Sequence, residues 1–159
     1  MALLDKVTRN VDARAWQGEM PLQSRYSYGL AGERFFREIK DHGRFMGTRC
    51  PECNYTYVPP SLYCERCFAH LDEWVEVGPA GTVVSYTALW SALDGSRLDT
   101  PDLLALLQLD GADSVMVHRL GQVELADVAI GMPVRVVLKP KKKREGSILD
   151  IVHFVPVDR

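Results

Sequence analysis

Four cysteines are the residues of this chain best suited to chemistry. They fall in two matched pairs, Cys50-Pro51-Glu52-Cys53 and Cys64-Glu65-Arg66-Cys67, with ten residues between them. A C-x-x-C turn aims two sulfurs at one point. Two such turns facing each other build a tetrahedral cage of four thiolates, the donor set that a structural zinc demands. Iron suits the same cage and is the chemical runner-up. Pro51 stiffens the first knuckle, and Asn54 tolerates the left-handed backbone that such knuckles often assign to glycine. Disulfides are the bland alternative. The opening Met-Ala-Leu-Leu-Asp-Lys lacks the basic region and long apolar run of a secretion signal, so reduced thiols in a cytoplasmic protein are expected. A redox C-x-x-C would not come as a matched pair. With all four positions filled by protein, no coordination site remains for water or substrate. The expected metal folds the chain and does not catalyse.

Other groups offer less. His42, His70, His118 and His153 have no motif that pairs them with a nucleophile, and the sequence contains no G-x-S-x-G, P-loop or G-x-G-x-x-G. The chain is therefore expected not to carry a reaction by itself. A second candidate site is the cationic run Lys139, Lys141, Lys142, Lys143 and Arg144. Residues 134–144 hold six Lys or Arg and no acid, whereas residues 71–133 hold ten Asp or Glu and two Arg. The bland reading is a solvated hairpin tip. The sharper one is an anion clamp, for a phosphate-rich ligand such as coenzyme A or for an acidic partner surface.

These sites need elements to hold them. The 159 residues are 47% hydrophobic and 25% charged with a net charge of −2, a composition that excludes disordered, collagen-like and coiled-coil classes. No stretch approaches the roughly 20 apolar residues of a membrane span. Residues 1–27 scatter Trp16, Met20, Leu22 and Tyr26, with Tyr28 just beyond, among polar residues, as an arm that folds back or docks on a partner. Residues 30–42 set Phe35, Phe36 and Ile39 on one helical face, and Gly43 stops that helix. Short strands at 44–49 and 56–58 flank the first knuckle. From Trp74 the pattern turns to β. A long strand interrupted by Gly78 and Gly81 reads as the coiled first strand of a barrel. A loop over 90–101 follows, then strands at 103–109 and 114–119 and a short helix at 124–129. Strands at 133–139 and 147–155 close the series, joined by the basic hairpin 140–146. Strands in this order fit a five-stranded OB-fold barrel, with the SH3-like barrel as the alternative. The expected organisation is mainly β with an N-terminal helix. An arm and helix occupy 1–43, a rubredoxin-like zinc ribbon 44–73, and the barrel 74–159.

The order of parts resembles a specific family. Phe35-Phe36, Gly43 through Cys53, Pro59-Pro60 and Cys64-Glu-Arg-Cys67 match its helix and ribbon. Trp74 through Gly78, Gly81 through Thr87, Pro101 through Leu109 and Ile130-Gly-Met-Pro-Val134 match its barrel. The family is the acyl-CoA-associated OB-fold domain with a rubredoxin-like zinc ribbon, whose members accompany thiolase-like or hydratase-like subunits acting on acyl-CoA thioesters. Some accompany thiolases for bulky thioesters such as benzoylsuccinyl-CoA. The chain departs from the family at Asn54, where glycine is common, and at Ser61, where arginine is common. The resemblance implies zinc on Cys50, Cys53, Cys64 and Cys67. It also implies a non-catalytic subunit of a heteromeric acyl-CoA thiolase complex, with a thiolase-like catalytic partner and a CoA thioester as ligand of the assembly. Two readings from other classes are a single-stranded nucleic-acid binder and a free acyl-CoA-binding module. The acidic barrel, with Tyr86 and Trp90 almost alone among its early aromatics, counts against nucleic acid.

Overall fold

The computed structural model describes Arg9 and residues 27–157. The docking arm expected at Trp16, Met20, Leu22 and Tyr26 lies outside the described residues. Helix α1 (Gly29–His42) is the first described element and buries Ala31, Phe35 and Ile39. Gly43 ends it in the left-handed conformation, φ 72°, with its amide reaching back to the carbonyls of Glu38 and Ile39. A left-handed residue at this position favours glycine because a Cβ would crowd the backbone.

Two sheets follow. The first has three strands in the order β2-β1-β3, built from β1 (Phe45–Arg49), β2 (Thr56–Tyr57) and β3 (Glu73–Val77). The second has five strands in the order β6-β5-β4-β7-β8. Its members are β4 (Ala80–Ser91), β5 (Arg97–Leu109), β6 (Met116–Arg119), β7 (Pro133–Leu138) and β8 (Ile151–Pro156). The two end strands meet: Leu120 bridges Phe154 in parallel, and the Gly121 amide donates to the Phe154 carbonyl at 2.8 Å. That contact curls the sheet into a closed barrel with OB-fold connectivity.

Several sequence expectations change in detail. The glycine-broken stretch from Trp74 is two strands in different sheets. β3 pairs along its whole length with β1, Phe45 opposite Val77 through Arg49 opposite Glu73, so it completes the ribbon sheet. Gly81 then lets β4 cross close over β5, where a Cβ would sit 2.1 Å from the Gln108 carbonyl oxygen. The segment 90–101 is mostly strand. β4 and β5 form a long hairpin that turns only at residues 92–96, where the Ala92 amide donates to Ser96 O. Ile148–Asp150 form a 3-10 turn, capped by Ser147, that leads into β8 rather than starting that strand.

One hydrophobic core joins the parts. Phe35, Ile39 and Phe45 from the helix and ribbon pack with Val83, Leu107, Leu109, Val134 and Phe154 from the barrel. The ribbon's outer edge is held as well. The Thr56 amide donates to Asp113 Oδ2 at 2.8 Å, and the Asp113 amide returns the bond to the Thr56 carbonyl at 2.9 Å. The Val58 amide donates to Ser114 Oγ at 2.6 Å. The turn between β5 and β6 therefore caps β2, and the knuckles sit on a fixed platform. Among the described residues, no helix is long and apolar enough to cross a membrane.

Candidate metal centre

The cysteine pairs sit on two nearly identical turns. In the first, the Asn54 amide donates to Cys50 O and the Cys50 amide donates to Tyr55 O, both at 2.9 Å. In the second, the Phe68 amide donates to Cys64 O and the Cys64 amide donates to Ala69 O, again at 2.9 Å. Each turn requires a left-handed residue just after its second cysteine. Asn54 (φ 50°) supplies it as the sequence led us to expect, and Phe68 (φ 61°) supplies it unexpectedly. An aromatic residue in that region carries steric strain. Phe68 is also 80% exposed, so no packing around its ring offsets the cost.

The four sulfurs lie within 4.8 Å of one another. Cys50 and Cys64 are buried, Cys53 is half-buried and Cys67 is at the surface. Backbone amides point inward: Cys53 N to Cys50 Sγ and Arg66 N to Cys64 Sγ, each at 3.4 Å. The Tyr57 hydroxyl lies 3.3 Å from Cys64 Sγ and accepts from the Glu65 amide at 3.1 Å. Cys64 is the preferred thiolate. Burial opposes its ionisation, but the Tyr57 hydroxyl and the amides of Arg66 and Cys67 outweigh burial and lower it to about 6. Cys53 is pushed the other way, up to about 12, because it shares hydrogen bonds with Cys67, Cys64 and Cys50 and is partly desolvated. Tyr57 itself is raised to about 12 by burial and by Cys64, so it remains a hydroxyl donor. Four thiolates this close repel one another strongly, and a dication at their centre removes the repulsion. The donor set, the spacing and the inward amides fit a closed four-sulfur zinc site.

The expected cationic cluster is divided. Lys141, Lys142 and Lys143 form an exposed 3-10 turn. Arg144 points inward instead, donating from Nε to Lys139 O at 2.7 Å and from a terminal nitrogen to Ile39 O at 3.1 Å. It thus caps the last turn of α1 from across the molecule. Lys139 faces Asp150, Nζ to Oδ1 at 3.9 Å. Three cations stand at the tip and two secure its base.

Asp150 is the residue that sequence reasoning missed. Its side chain is fully buried and takes hydrogen bonds from the amides of Glu145, Gly146 and Ser147. Burial pushes its carboxyl upward, but those amides and Lys139 outweigh it and hold the group below its ordinary range. The signal was present. Ser147-Ile-Leu-Asp150 is a capping box ahead of an apolar run, and the structure forms it. His118 and His153 lie in β6 and β8, packed rather than paired with a nucleophile, and burial holds His118 below its ordinary range.

Residues 37–73 match the family described as "ChsH2, rubredoxin-like zinc ribbon domain", and residues 74–139 match "ChsH2, C-terminal OB-fold domain". The chain belongs to the ChsH2 zinc-ribbon and OB-fold families of DUF35 proteins. The boundary between the two matches falls at the start of β3, the strand that the ribbon sheet claims by hydrogen bonding. A DUF35 domain-containing scaffold protein of Methanocaldococcus jannaschii is 25% identical over 128 residues, covering 79% of this chain and 90% of that protein. A DUF35-family protein of unknown function from Sulfolobus solfataricus superposes with a TM-score of 0.58 at 28% identity, covering 69% of this chain and 78% of that one. The Ltp2-ChsH2(DUF35) aldolase superposes with a TM-score of 0.60 at 23% identity, over 83% of this chain and 98% of that chain, a likeness of fold. Within this DUF35 chain, ribbon, platform and barrel all fall inside the described residues.

Proposed function

We propose that this chain is the zinc-binding, non-catalytic subunit of a heteromeric acyl-CoA thiolase complex, with carbon–carbon cleavage or condensation performed on a thiolase-like partner. In this reading Cys50, Cys53, Cys64 and Cys67 hold one structural zinc. The observation that carries the proposal is the closed cage. All the cysteines in the sequence converge within 4.8 Å, so none is left as the nucleophile that thiolysis requires. The scaffold role named for the archaeal relative supports an assembly function. The barrel offers a place for a partner. A groove of about 530 Å³ runs between β6 and the turn before β8, where Val117, Ile148, Leu149 and Val152 are exposed. An exposed apolar patch of this kind marks an interaction surface. The tip lysines Lys141, Lys142 and Lys143 would steer the phosphates of coenzyme A toward the assembled site. Benzoylsuccinyl-CoA, a bulky thioester, is the substrate type this reading favours.

Co-expression with a candidate thiolase partner, followed by size exclusion and elemental analysis, tests the proposal. Co-elution with one zinc per DUF35 chain is expected. Separate elution of the two proteins, or well-folded chain holding no metal, overturns it.

A further inference from the structure

Beyond the closed barrel, β4 carries a strand edge that no described strand covers. β4 hydrogen-bonds to β7 only through Ala80–Thr82, with Val83 adding the last contacts to Gly131 and Met132. From Ser85 to Ser91, no described strand pairs with the second edge of β4, and six of these seven residues are exposed. The backbone groups of a strand edge are satisfied in a folded assembly by another strand or by water. Natural proteins guard such edges with lysine, proline, inward-pointing charge or short length. β4 has none of these. It is 12 residues long, and Thr82 through Leu93 contains no charged residue and no proline. Its irregularities fall at Val83/Ser85 and Leu89/Ser91, which leaves Ser85–Leu89 in regular register with β5.

We infer that this edge pairs with the same edge of a second copy, joining two barrels through an antiparallel β4–β4 contact about a two-fold axis. The sequence of the edge is suited to itself. An axis at Thr87 sets Thr87 opposite Thr87, Tyr86 of one copy opposite Ala88 of the other, and Ser85 opposite Leu89. No like charges meet, large residues face small ones, and the central threonines form a favourable cross-strand pair. A two-fold contact uses the edge of both copies at once, so no open edge is left to propagate into a filament. An unrelated partner strand would gain nothing from this self-complementarity. Tyr86, Leu89 and Trp90 are 38–45% exposed in the single chain and would be covered by the pairing.

The purified, zinc-loaded chain, measured alone by sedimentation over a dilution series, tests the inference without any thiolase. The mass of two chains is expected at the high end. Thr87→Lys places two like charges opposite each other on the axis and is expected to give the mass of one chain. Thr87→Glu is expected to do the same, and mixing the two variants should restore the dimer through opposite charges. The rescue separates edge pairing from misfolding, because a chain that failed to fold would not be rescued. A wild-type chain that stays monomeric throughout, or a dimer that survives Thr87→Lys, overturns the inference.

Discussion

Removing the Asp150 carboxylate tests whether a single buried charge organises the basic hairpin. Its Oδ1 and Oδ2 lie 2.9 and 3.0 Å from the Glu145 amide, Oδ2 lies 2.7 Å from the Gly146 amide, and Ser147 N approaches to 3.4 Å. A hydrogen bond to a charged group contributes about 1.5–3 kcal/mol. The donors belong to a surface turn, so water recovers part of the loss, and the bonds share one acceptor group and do not add. We expect Asp150→Ala to cost about 3 kcal/mol and Asp150→Asn, which keeps the shape and one acceptor oxygen, about 2 kcal/mol. For a chain of this size 1 kcal/mol moves Tm by roughly 2–4 °C, so Asp150→Ala should melt about 6–12 °C below wild type at neutral pH. The pH dependence has a definite sign. The folded-state carboxyl is held below its ordinary range, so its stabilisation is complete above the unfolded-state value, near pH 4, and is lost as pH falls through the folded one. The gap between wild type and Asp150→Asn should therefore narrow on acidification. Melting curves at pH 7, 5 and 3, with hydrogen exchange of the 145–147 amides, provide the readout. A neutral-pH difference for Asp150→Ala below about 2 °C, or a gap that widens in acid, would refute the argument.

Three further outcomes are expected. Phe68→Gly should stabilise the zinc-loaded chain by about 1 kcal/mol in denaturant melts, because it removes an aromatic side chain from a left-handed position without uncovering any core. Tyr57→Phe should release zinc to a competing chelator about fivefold faster, since it deletes the hydroxyl beside Cys64 Sγ and leaves the Glu65 amide without its acceptor. Changing Lys141, Lys142 and Lys143 together to Glu should raise the KM of the assembled complex for CoA thioesters, most strongly at low salt, while co-elution is retained. Loosened assembly would instead mean that the tip clamps the partner.

What could be read from the sequence follows from how local each feature is. The cage was legible because two C-x-x-C turns encode their own geometry, down to the left-handed Asn54. The Phe68 conformation was not, since nothing in the residue type announces it; only the likeness of the second turn to the first does. The leucine-rich run 103–109 reads correctly as buried strand because turn residues bracket a short apolar stretch. By contrast, 90–101 looks like a loop from its Gly, Ser, Asp and Pro. Those residues are tolerated there because the hairpin projects beyond the barrel with no third strand beside it. The transfer of β3 to the ribbon sheet depends on pairing with β1, some thirty residues earlier, and periodicity carries no such information. Arg144 is the clearest case. In sequence it is one cation in a run, and its role at the end of α1 exists only through a contact to Ile39 across the fold.

The central claim is that the chain contributes structure and docking to a thiolase reaction whose chemistry lies elsewhere. The most direct test is the rate of CoA-dependent cleavage of a 3-oxoacyl-CoA thioester by this chain alone, by a candidate thiolase partner alone, and by the two co-purified. No cleavage is expected from the zinc-loaded chain alone, and full activity only from the complex. Cleavage by the chain alone would contradict it, as would full thiolase activity that the chain neither raises nor binds.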